Sequence, residues 1–557
     1  MTPAARRTLL RHAIALDLVV VATGVAYFAP ISPFAIFGAY LGAVAISVWL
    51  AQEEAGLLAT AYSVAALAIC FGNTIDATLL TAFAAVGATG SAFVRAARRV
   101  PRLALPPAPP EIAARAQPLA PSLPFTLGLP FLVLVVYTDI SNTIMLRYPV
   151  PSLLQPIIAM LAIVVWKHRA SFRPGTIIVQ AVPLLLAAYA YVLFVTTIWA
   201  TDQQLADKRV GEAIKAVLIC VLAASLAASW HALRTAMTAL VGAATVFSAI
   251  SVVQVLTGRF TDFLGGMVSV QTGNIYGEVD LPRASGPPVD DPNFYARILL
   301  VAIPLAVALG LAQRRSRYRV AYFAAAAMTT AGTLVTYSRG AMLAMGGMAV
   351  LMLFAAKVRI KTVAMGGVAF AVLLLFLPAE LIEQRLGTLK TLLPGAESSA
   401  PVDGSVELRK LFVRSGVEMF AEHPLFGVGA GQFTRHYYEY ANIVGSALYD
   451  YSDAGSSGDP HSLATQIASE TGLLGLATFG ATLLAAFAIL WRSRNTLLAR
   501  GEAGHAILAM GLGIAICGYL AASIVLHETH LRYLGLYLGF IAGIARLARE
   551  QVAEAEG

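Results

Sequence analysis

The chain has 557 residues, of which 58% are hydrophobic and only 13% are charged, and its mean hydropathy is +0.73. Soluble domains carry roughly 25% charged residues, so this composition excludes an ordinary water-soluble fold. The net charge of +8 comes mostly from short basic clusters between apolar runs, which indicates orientation in a membrane and argues against nucleic acid as a partner.

Apolar runs predict about 14–16 membrane-spanning helices, each long enough to cross a hydrocarbon core. The first follows Arg6, Arg7 and Arg11 and is interpreted as an uncleaved signal anchor, because no cleavable signal peptide is evident. In chain order, the predicted spans lie near 12–29, 34–50, 55–72, 76–94, 124–141, 152–167, 175–199, 211–229, 235–256, 292–312, 319–336, 340–356, 362–378, 462–490, 505–526 and 532–547.

These spans predict an all-α polytopic membrane protein in five parts. Residues 1–100 form an accessory four-span block, and residues 101–124, rich in Pro and Ala, form a cytoplasmic linker. A transmembrane core over 125–378 and a second one over 462–557, ending in a cytoplasmic tail, flank a large periplasmic loop at 379–461.

The orientation follows from alternate connections that are rich in Arg and Lys, such as 314–319 and 492–500. This pattern predicts that both termini are cytoplasmic and that two long segments, 257–291 and 379–461, face the periplasm. Within the second segment, apolar residues at helical spacing from Val406 to Phe420 predict an amphipathic helix at the membrane surface.

Four charged or polar groups lie at the predicted outer face, where charge near a span requires a reason. Asp290 or Asp291 before Pro292 is suited to cap a helix, which explains the acids but not Arg283. For Arg339 an alternative is a cation that reaches lipid phosphates. The four groups are Arg283 with Asp290–Asn293, Thr336–Gly340, Asp459–Ser462 followed by Glu470, and His527–Arg532.

Neither the histidines nor the cysteines predict a metal site. His527 and His530 flank Glu528 without the i, i+4 pair that zinc hydrolases place on one helical face. The three cysteines, at positions 70, 220 and 517, each lie inside an apolar run. No P-loop or dinucleotide fingerprint occurs, so we expect no cofactor.

Arginines and one histidine on the outer face suit a reaction with a diphosphate leaving group. The guanidinium fork binds phosphate oxygens in bidentate fashion, and a histidine can take a proton from a sugar hydroxyl near neutral pH. A substrate already activated by a lipid diphosphate is the donor available outside the cytoplasm.

Five segments of the sequence resemble successive motifs of the O-antigen ligase and polysaccharide polymerase superfamily. A sixth, weaker segment precedes them, and together they cover about residues 125–545 in family order, leaving out the first four spans. The segments are WATDQQLADKRVGEAIK (from Trp199), RASGPPVDDPNFYARILLVAIPL (from Arg283), TYSRGAMLAM (from Thr336), EHPLFGVGAGQF (from Glu422), PHSLATQIASETGLLG (from Pro460) and ETHLRYLGLYLGF (from Glu528).

The resemblance implies a GT-C-like glycosyltransferase of the bacterial inner membrane that acts at the periplasmic face on undecaprenyl-diphosphate-linked glycan, without metal or nucleotide. It implies that Arg283 and Arg339 bind the donor diphosphate and that His461 is the base towards the acceptor hydroxyl. Further candidate site residues are Arg409, Arg532 and Asp459.

Several functions stay open at this point. The acceptor can be a glycolipid such as lipid A core, another lipid-linked repeat of a growing polysaccharide, or a protein side chain. A transporter is the alternative of another class, although its charges would be expected at the bilayer midplane. A scaffold in an envelope assembly complex is a third possibility.

Overall fold

The computed structural model describes residues 123–139, 141, 154–167, 181–258, 268–271, 282–287, 291–356, 404–444, 458–528 and 530–556. The predicted accessory block at 1–100, nearly all of the linker at 101–124 and the span near 362–378 lie outside these residues. Within the described ranges the chain is mostly helical.

The helices in chain order are α1 (Leu123–Thr138), α2 (Leu154–Lys167), α3 (Ala181–Thr196), α4 (Gln203–Leu226), α5 (Trp230–Thr257), α6 (Pro292–Leu311), α7 (Ser316–Leu334), α8 (Arg339–Ala356), α9 (Gly404–Glu422), α10 (Phe433–Val444), α11 (Leu463–Ala499), α12 (Ala503–Ala522) and α13 (Arg532–Glu556). Short 3₁₀ turns at Thr197–Trp199 and Ser523–Val525 extend α3 and α12. Two strands, β1 (Ser269–Gln271) and β2 (Arg283–Ser285), separate α5 from α6.

Five of the described helical segments are long and apolar enough to cross a membrane. They are Ala181–Trp199, Trp230–Thr257, Pro292–Leu311, Leu463–Ala499 and Ala503–Val525. The predicted fold class, an all-α polytopic membrane protein, is confirmed.

Helix α6 forms the centre of the bundle. Its apolar stretch is 89% buried, because α5, α7, α8 and α12 all pack against it. Further helices pair around this centre, with α4 on α13, α3 on α11 and α1 on α5. A helix surrounded in this way has no lipid-facing side, so its continuous apolar sequence serves the protein core.

Helices α4 and α13 approach each other closely along a seam of small residues. Gly535, Gly539 and Gly543 recur every fourth position on α13, where an added Cβ would come within 2.4, 2.6 and 2.5 Å of α4 or of the residue that follows it. Ala216 and Ala227 lie opposite the two ends of this seam. Small residues at this spacing let two membrane helices pack backbone against backbone.

The bundle has two chemically different ends. At one end, Arg546 donates to the Ala227 carbonyl just after α4, and the His505 ring stacks on Trp230 at 4.1 Å. The start of α4 lies at the opposite end, where Arg209 pairs with Glu470 at 3.3 Å. We call this second end the site end, because the predicted site residues lie there.

A two-stranded antiparallel ribbon was not predicted from the sequence. Strand β1 pairs with β2 so that Gln271 lies opposite Arg283, and the Ala284 amide donates to the Val335 carbonyl at 3.0 Å. Strands of three residues are too short to show an alternating pattern. The ribbon fixes the backbone of Arg283 against the end of α7.

Candidate functional site

The first two outer groups of the sequence meet at Arg283. Its Nε donates to the Thr336 carbonyl at 3.0 Å, and its Nη2 donates to Asn293 Oδ1 at 3.1 Å. Thr336 belongs to the turn that leads into Arg339, the first residue of α8. The structure therefore places the guanidinium of Arg283 against the turn that carries Arg339. That both arginines bind one diphosphate stays a prediction.

The turn before Arg339 is tightly constrained. Tyr337 is buried with a positive φ of 53°, which non-glycine residues rarely adopt, and the Ser338 amide donates to Thr336 Oγ1 at 3.3 Å. A Cβ on Gly340 would come within 2.5 Å of Val525, so the start of α8 lies against the 3₁₀ turn after α12. The partly exposed Arg339 is thus held by packing on both sides.

Asp291 caps α6, as the sequence predicted for this acidic pair. Its carboxylate accepts from the amides of Asn293 at 2.7 Å and Phe294 at 3.1 Å, and Pro292 occupies the first helical position. Asp290 lies outside the described residues. The cap also fixes Asn293, the partner of Arg283.

His461 has a strained backbone and a partly buried ring. Its φ is 44°, and its ring lies 5.2 Å from Phe412 and 5.6 Å, edge to face, from His527, measured between centroids. Its Nδ1 is buried and has no hydrogen-bond partner among the described residues, while the residue as a whole is partly exposed. Strain of this kind persists only where surrounding contacts impose it, and it concentrates at functional sites.

Charged groups from three segments surround the His461 ring. Burial lowers the pKa of His461, Arg409 lowers it further, and Asp459 and Asp291 oppose this change. Helix α9, the α6 cap and the segment before α11 therefore converge on His461. Because the pKa falls below its usual value, the ring is neutral at neutral pH, as a base must be before reaction.

Arg532 lies elsewhere at the site end. Its side chain is buried, and its Nη2 lies 2.7 Å from Asp139 Oδ2. This pair joins the start of α13 to the residue that follows α1. The contact with Asp139 gives Arg532 a structural role, because it links α13 to the end of α1. A role of Arg532 in binding the donor stays a prediction.

Two buried ion pairs were missed from the sequence. Arg297 Nη2 lies 3.3 Å from Glu528 Oε1, with both side chains 2% exposed, and the Tyr519 hydroxyl donates to Glu528 Oε2 at 2.6 Å. Arg209 contacts Glu470 in the same region. An arginine inside an apolar span was the available signal, because such a charge requires a partner within the protein.

The histidines at the site end do not form a metal cluster. Within the described ranges, no group of three or more His, Cys, Asp or Glu side chains could hold a metal ion. His461, His527 and Asp459 lie close together. The two histidines contact each other edge to face, and their nitrogens do not converge on one point.

Comparison with known families connects this geometry to an enzyme class. The sequence model of the O-antigen ligases matches residues 323–480. We call residues 323–480, the stretch similar to this family, the O-antigen ligase domain. The resemblance predicted from the motifs is thereby confirmed. A comparison with curated proteins gives no match.

The O-antigen ligase domain contains Arg339, Arg409, Asp459 and His461. Other residues of the site end, including Arg283, lie outside the match, and the fold brings them close to the matched residues. The matched residues alone therefore do not contain the whole site.

A glycine-rich loop of the O-antigen ligase domain fills a break in α11. Gly472, with φ 63° and ψ −155°, interrupts that helix. The Val428 amide donates to the Ser469 carbonyl at 2.8 Å, and the Leu473 amide donates to the Pro424 carbonyl at 2.8 Å. Backbone groups that the break leaves without helical partners are therefore satisfied by the loop.

Gly472→Ala should destabilise the protein by about 1–3 kcal/mol or more, because its backbone conformation is essentially restricted to glycine. An added Cβ would also lie 2.5 Å from the Leu425 carbonyl carbon. Thermal unfolding of the purified protein in detergent measures the change. Gly480→Ala on the same helix is the matched control, since nothing lies within 4 Å of its added Cβ. Equal stability of the two variants would contradict the role of the break.

Proposed function

We propose that the protein is an inverting, metal-independent membrane glycosyltransferase that transfers glycan from an undecaprenyl-diphosphate-linked donor to an acceptor hydroxyl. The O-antigen ligase domain supports this general class. The observation that carries the proposal is the position of His461, strained and neutral, among Arg409, Asp459 and the capped start of α6. A neutral base with one arginine and two carboxylates near it suits a reaction in which a hydroxyl is deprotonated and an anion leaves.

The transfer step uses His461 as the base. The acceptor oxygen attacks the anomeric carbon of the donor sugar, and the bond from that carbon to the diphosphate oxygen breaks with its electron pair going to the diphosphate. The hydroxyl proton passes to Nε2 of His461, because Nδ1 is buried. The imidazolium then releases the proton to water, and attack opposite the leaving group inverts the anomeric centre.

The arginines stabilise the leaving diphosphate. Arg283 is held by Thr336 and Asn293, so its fork is oriented before substrate binds. Arg339 begins α8, and Arg409 lies close enough to His461 to affect its pKa. Preorganised cations aimed at a developing negative charge are among the strongest contributions to catalysis.

We place the site end at the periplasmic face of the inner membrane, with both termini in the cytoplasm. The basic connections support this orientation, because 314–319 follows α6 and 492–500 ends α11, both at the end of the bundle opposite His461. Arginine-rich connections are typical of the cytoplasmic side.

The acceptor classes remain a ligase-type glycolipid, a second lipid-linked repeat of a polysaccharide, or a protein side chain. The O-antigen ligase match favours the glycolipid. Undecaprenyl diphosphate is a proposal based on the family resemblance and on the cationic site.

A transporter is the competing class, and the interrupted helix α11 is the feature that favours it, because broken helices line many transport sites. In transporters the unwound backbone coordinates substrate or ions. Here the backbone around Gly472 is bonded to Pro424, Leu425 and Val428. The break therefore serves to seat a loop.

Arg283→Lys should reduce transfer at least about tenfold, because a lysine ammonium cannot reproduce the planar two-point fork. Purified protein is given an undecaprenyl-diphosphate-linked saccharide together with rough lipopolysaccharide, a second lipid-linked saccharide or a serine-containing peptide. Release of undecaprenyl diphosphate and the glycosylated product are measured. Arg317→Lys, an exposed arginine beside Tyr318 at the opposite end, is the matched control and should leave transfer unchanged. No transfer by the unaltered protein to any of the three acceptors would contradict the proposed function.

A further inference from the structure

His527 lies beside the proposed base, although the motifs gave it no role. It is 4% exposed and lies in the connection between α12 and α13. Its ring meets His461 edge to face at 5.6 Å and Phe294 at 5.1 Å, and its Nε2 lies 3.8 Å from Asp459 Oδ2. Three polar side chains from two distant segments thus form one row: Asp459, His527 and His461.

The backbone at His527 is fixed from three helices. Arg297 Nη1 donates to the His527 carbonyl at 3.1 Å, and Gln466 Oε1 accepts from the Glu528 amide at 2.8 Å. Arg209 donates to the Glu528 carbonyl. A buried network that satisfies each backbone group of a connection holds it in one conformation. The ring of His527 is therefore presented to His461 by the bundle core.

The ring itself is left without such partners. Neither nitrogen of His527 has a hydrogen-bond partner among the described residues, and the same holds for Nδ1 of His461. A buried polar atom without a partner costs about 1–3 kcal/mol. The surrounding contacts fix the backbone at His527 but leave its ring nitrogens without hydrogen bonds. This combination indicates that the nitrogens form hydrogen bonds in another state of the protein.

Both histidines are neutral at rest. Burial, with His461, Arg209 and Arg297 adding to it, holds the pKa of His527 well below its usual value. A neutral imidazole has one N–H donor and one acceptor nitrogen. Two neutral rings beside a carboxylate can therefore form one continuous row of hydrogen bonds.

We propose that His527 is a positioning residue that links Asp459 to His461 during transfer. In this state Nε2–H of His527 donates to Asp459, and Nδ1 of His527 accepts Nδ1–H of His461. Closing the 3.8 Å separation between His527 Nε2 and Asp459 Oδ2 to a hydrogen bond requires a shift of about 0.6–1.1 Å. The inference rests on the proposed function and deepens it.

The row gives His461 the correct proton arrangement. With Nδ1 donating to His527, the lone pair of Nε2 is directed to the acceptor hydroxyl. When Nε2 takes the hydroxyl proton, the positive charge on His461 is stabilised through His527 by the carboxylate, and no proton leaves Nδ1. A base oriented by a third group is the arrangement by which weak nucleophiles are activated. Asp459 then acts through His527 and not as the base.

The test compares two replacements of His527 in the full-length protein, using the undecaprenyl-diphosphate-linked saccharide and the acceptor that supports transfer. His527→Phe keeps the edge-to-face ring contact and removes both nitrogens. We expect kcat to fall roughly 10²-fold, the lower range of general-base effects, with KM for the donor unchanged. His527→Gln offers an amide N–H and a carbonyl oxygen and should recover a large part of kcat.

His505→Phe is the matched control, because His505 is likewise a histidine in ring contact with an aromatic side chain, but at the opposite end. It should transfer at the unaltered rate. Full activity of His527→Phe would overturn the proposal, and so would equal losses in His527→Phe and His527→Gln, since packing alone would then explain the effect. Transfer retained by His461→Ala refutes the proposed base itself, independently of His527. Loss in His461→Ala with full activity in His527→Phe refutes only the link.

Discussion

His461→Ala should abolish detectable glycan transfer while the donor still binds. General-base assistance contributes about 10²- to 10⁴-fold in rate, and the loss is at the upper end when no other base is in reach. Single-turnover transfer in detergent or nanodiscs measures the chemical step, and binding of the lipid-linked saccharide is measured separately. Thr336 and Asn293 hold the side chain of Arg283, the proposed diphosphate ligand, and neither bond involves His461, so donor binding should be retained.

Asp459→Asn is the comparison that distinguishes the two candidate bases. If Asp459 orients His527, its amide variant should retain measurable transfer, because Nε2 of His461 is still present. Near-normal transfer by His461→Ala together with inactive Asp459→Asn would assign the base to the aspartate. Activity of both variants would show that the reaction occurs elsewhere.

Arg297→Met should destabilise the protein by about 3–5 kcal/mol, because it leaves the carboxylate of Glu528 buried without its cationic partner. The guanidinium also lies over the rings of Phe294 at 5.0 Å and Tyr519 at 4.7 Å, so its loss disrupts packing as well. Thermal or denaturant unfolding of the purified protein measures the change.

A second replacement separates charge from packing. In Arg297→Met combined with Glu528→Gln, the uncompensated charge is removed, and a large part of the stability should return. Arg317→Met, at an exposed position, should stay within about 0.5 kcal/mol of the unaltered protein. If Arg297→Met alone were as stable as this control, the buried pair of Arg297 and Glu528 would not stabilise the site end.

Local patterns predicted the helices of the core well. The span predicted at 292–312 is Pro292–Leu311, with Asp291 as its cap, and the amphipathic segment from Val406 to Phe420 lies within α9. In these cases composition, cap and period lie within one stretch of chain. The glycines of FGVGAGQF lie in the loop that packs on α11.

Features that depend on distant partners could not be predicted in this way. The span predicted at 211–229 begins at Gln203, because Arg209 is accommodated inside the bundle by Glu470, which is far away in sequence. His527 was considered only for a metal site, since its spacing to His530 says nothing about a ring contact with His461. Such contacts depend on how the helices pack against one another. The periodicity of a single sequence does not indicate this packing.

With His461 as the proposed base, the lengths of α11 before and after the break at Gly472 give the expected height of the reaction above the bilayer. The stretch from Leu473 to Leu490 measures about 27 Å at 1.5 Å per residue, close to the thickness of a hydrocarbon core of about 30 Å. The turns from Leu463 to Thr471 precede the break and add at most about 13 Å beyond this stretch at 1.5 Å per residue. In the proposed transfer, we expect His461 to lie past the plane of the lipid phosphates, level with the first sugar of a membrane-tethered donor. We therefore expect the acceptor to present its hydroxyl at the same height, which a glycolipid with several sugars or a protein can do and a bare lipid headgroup cannot.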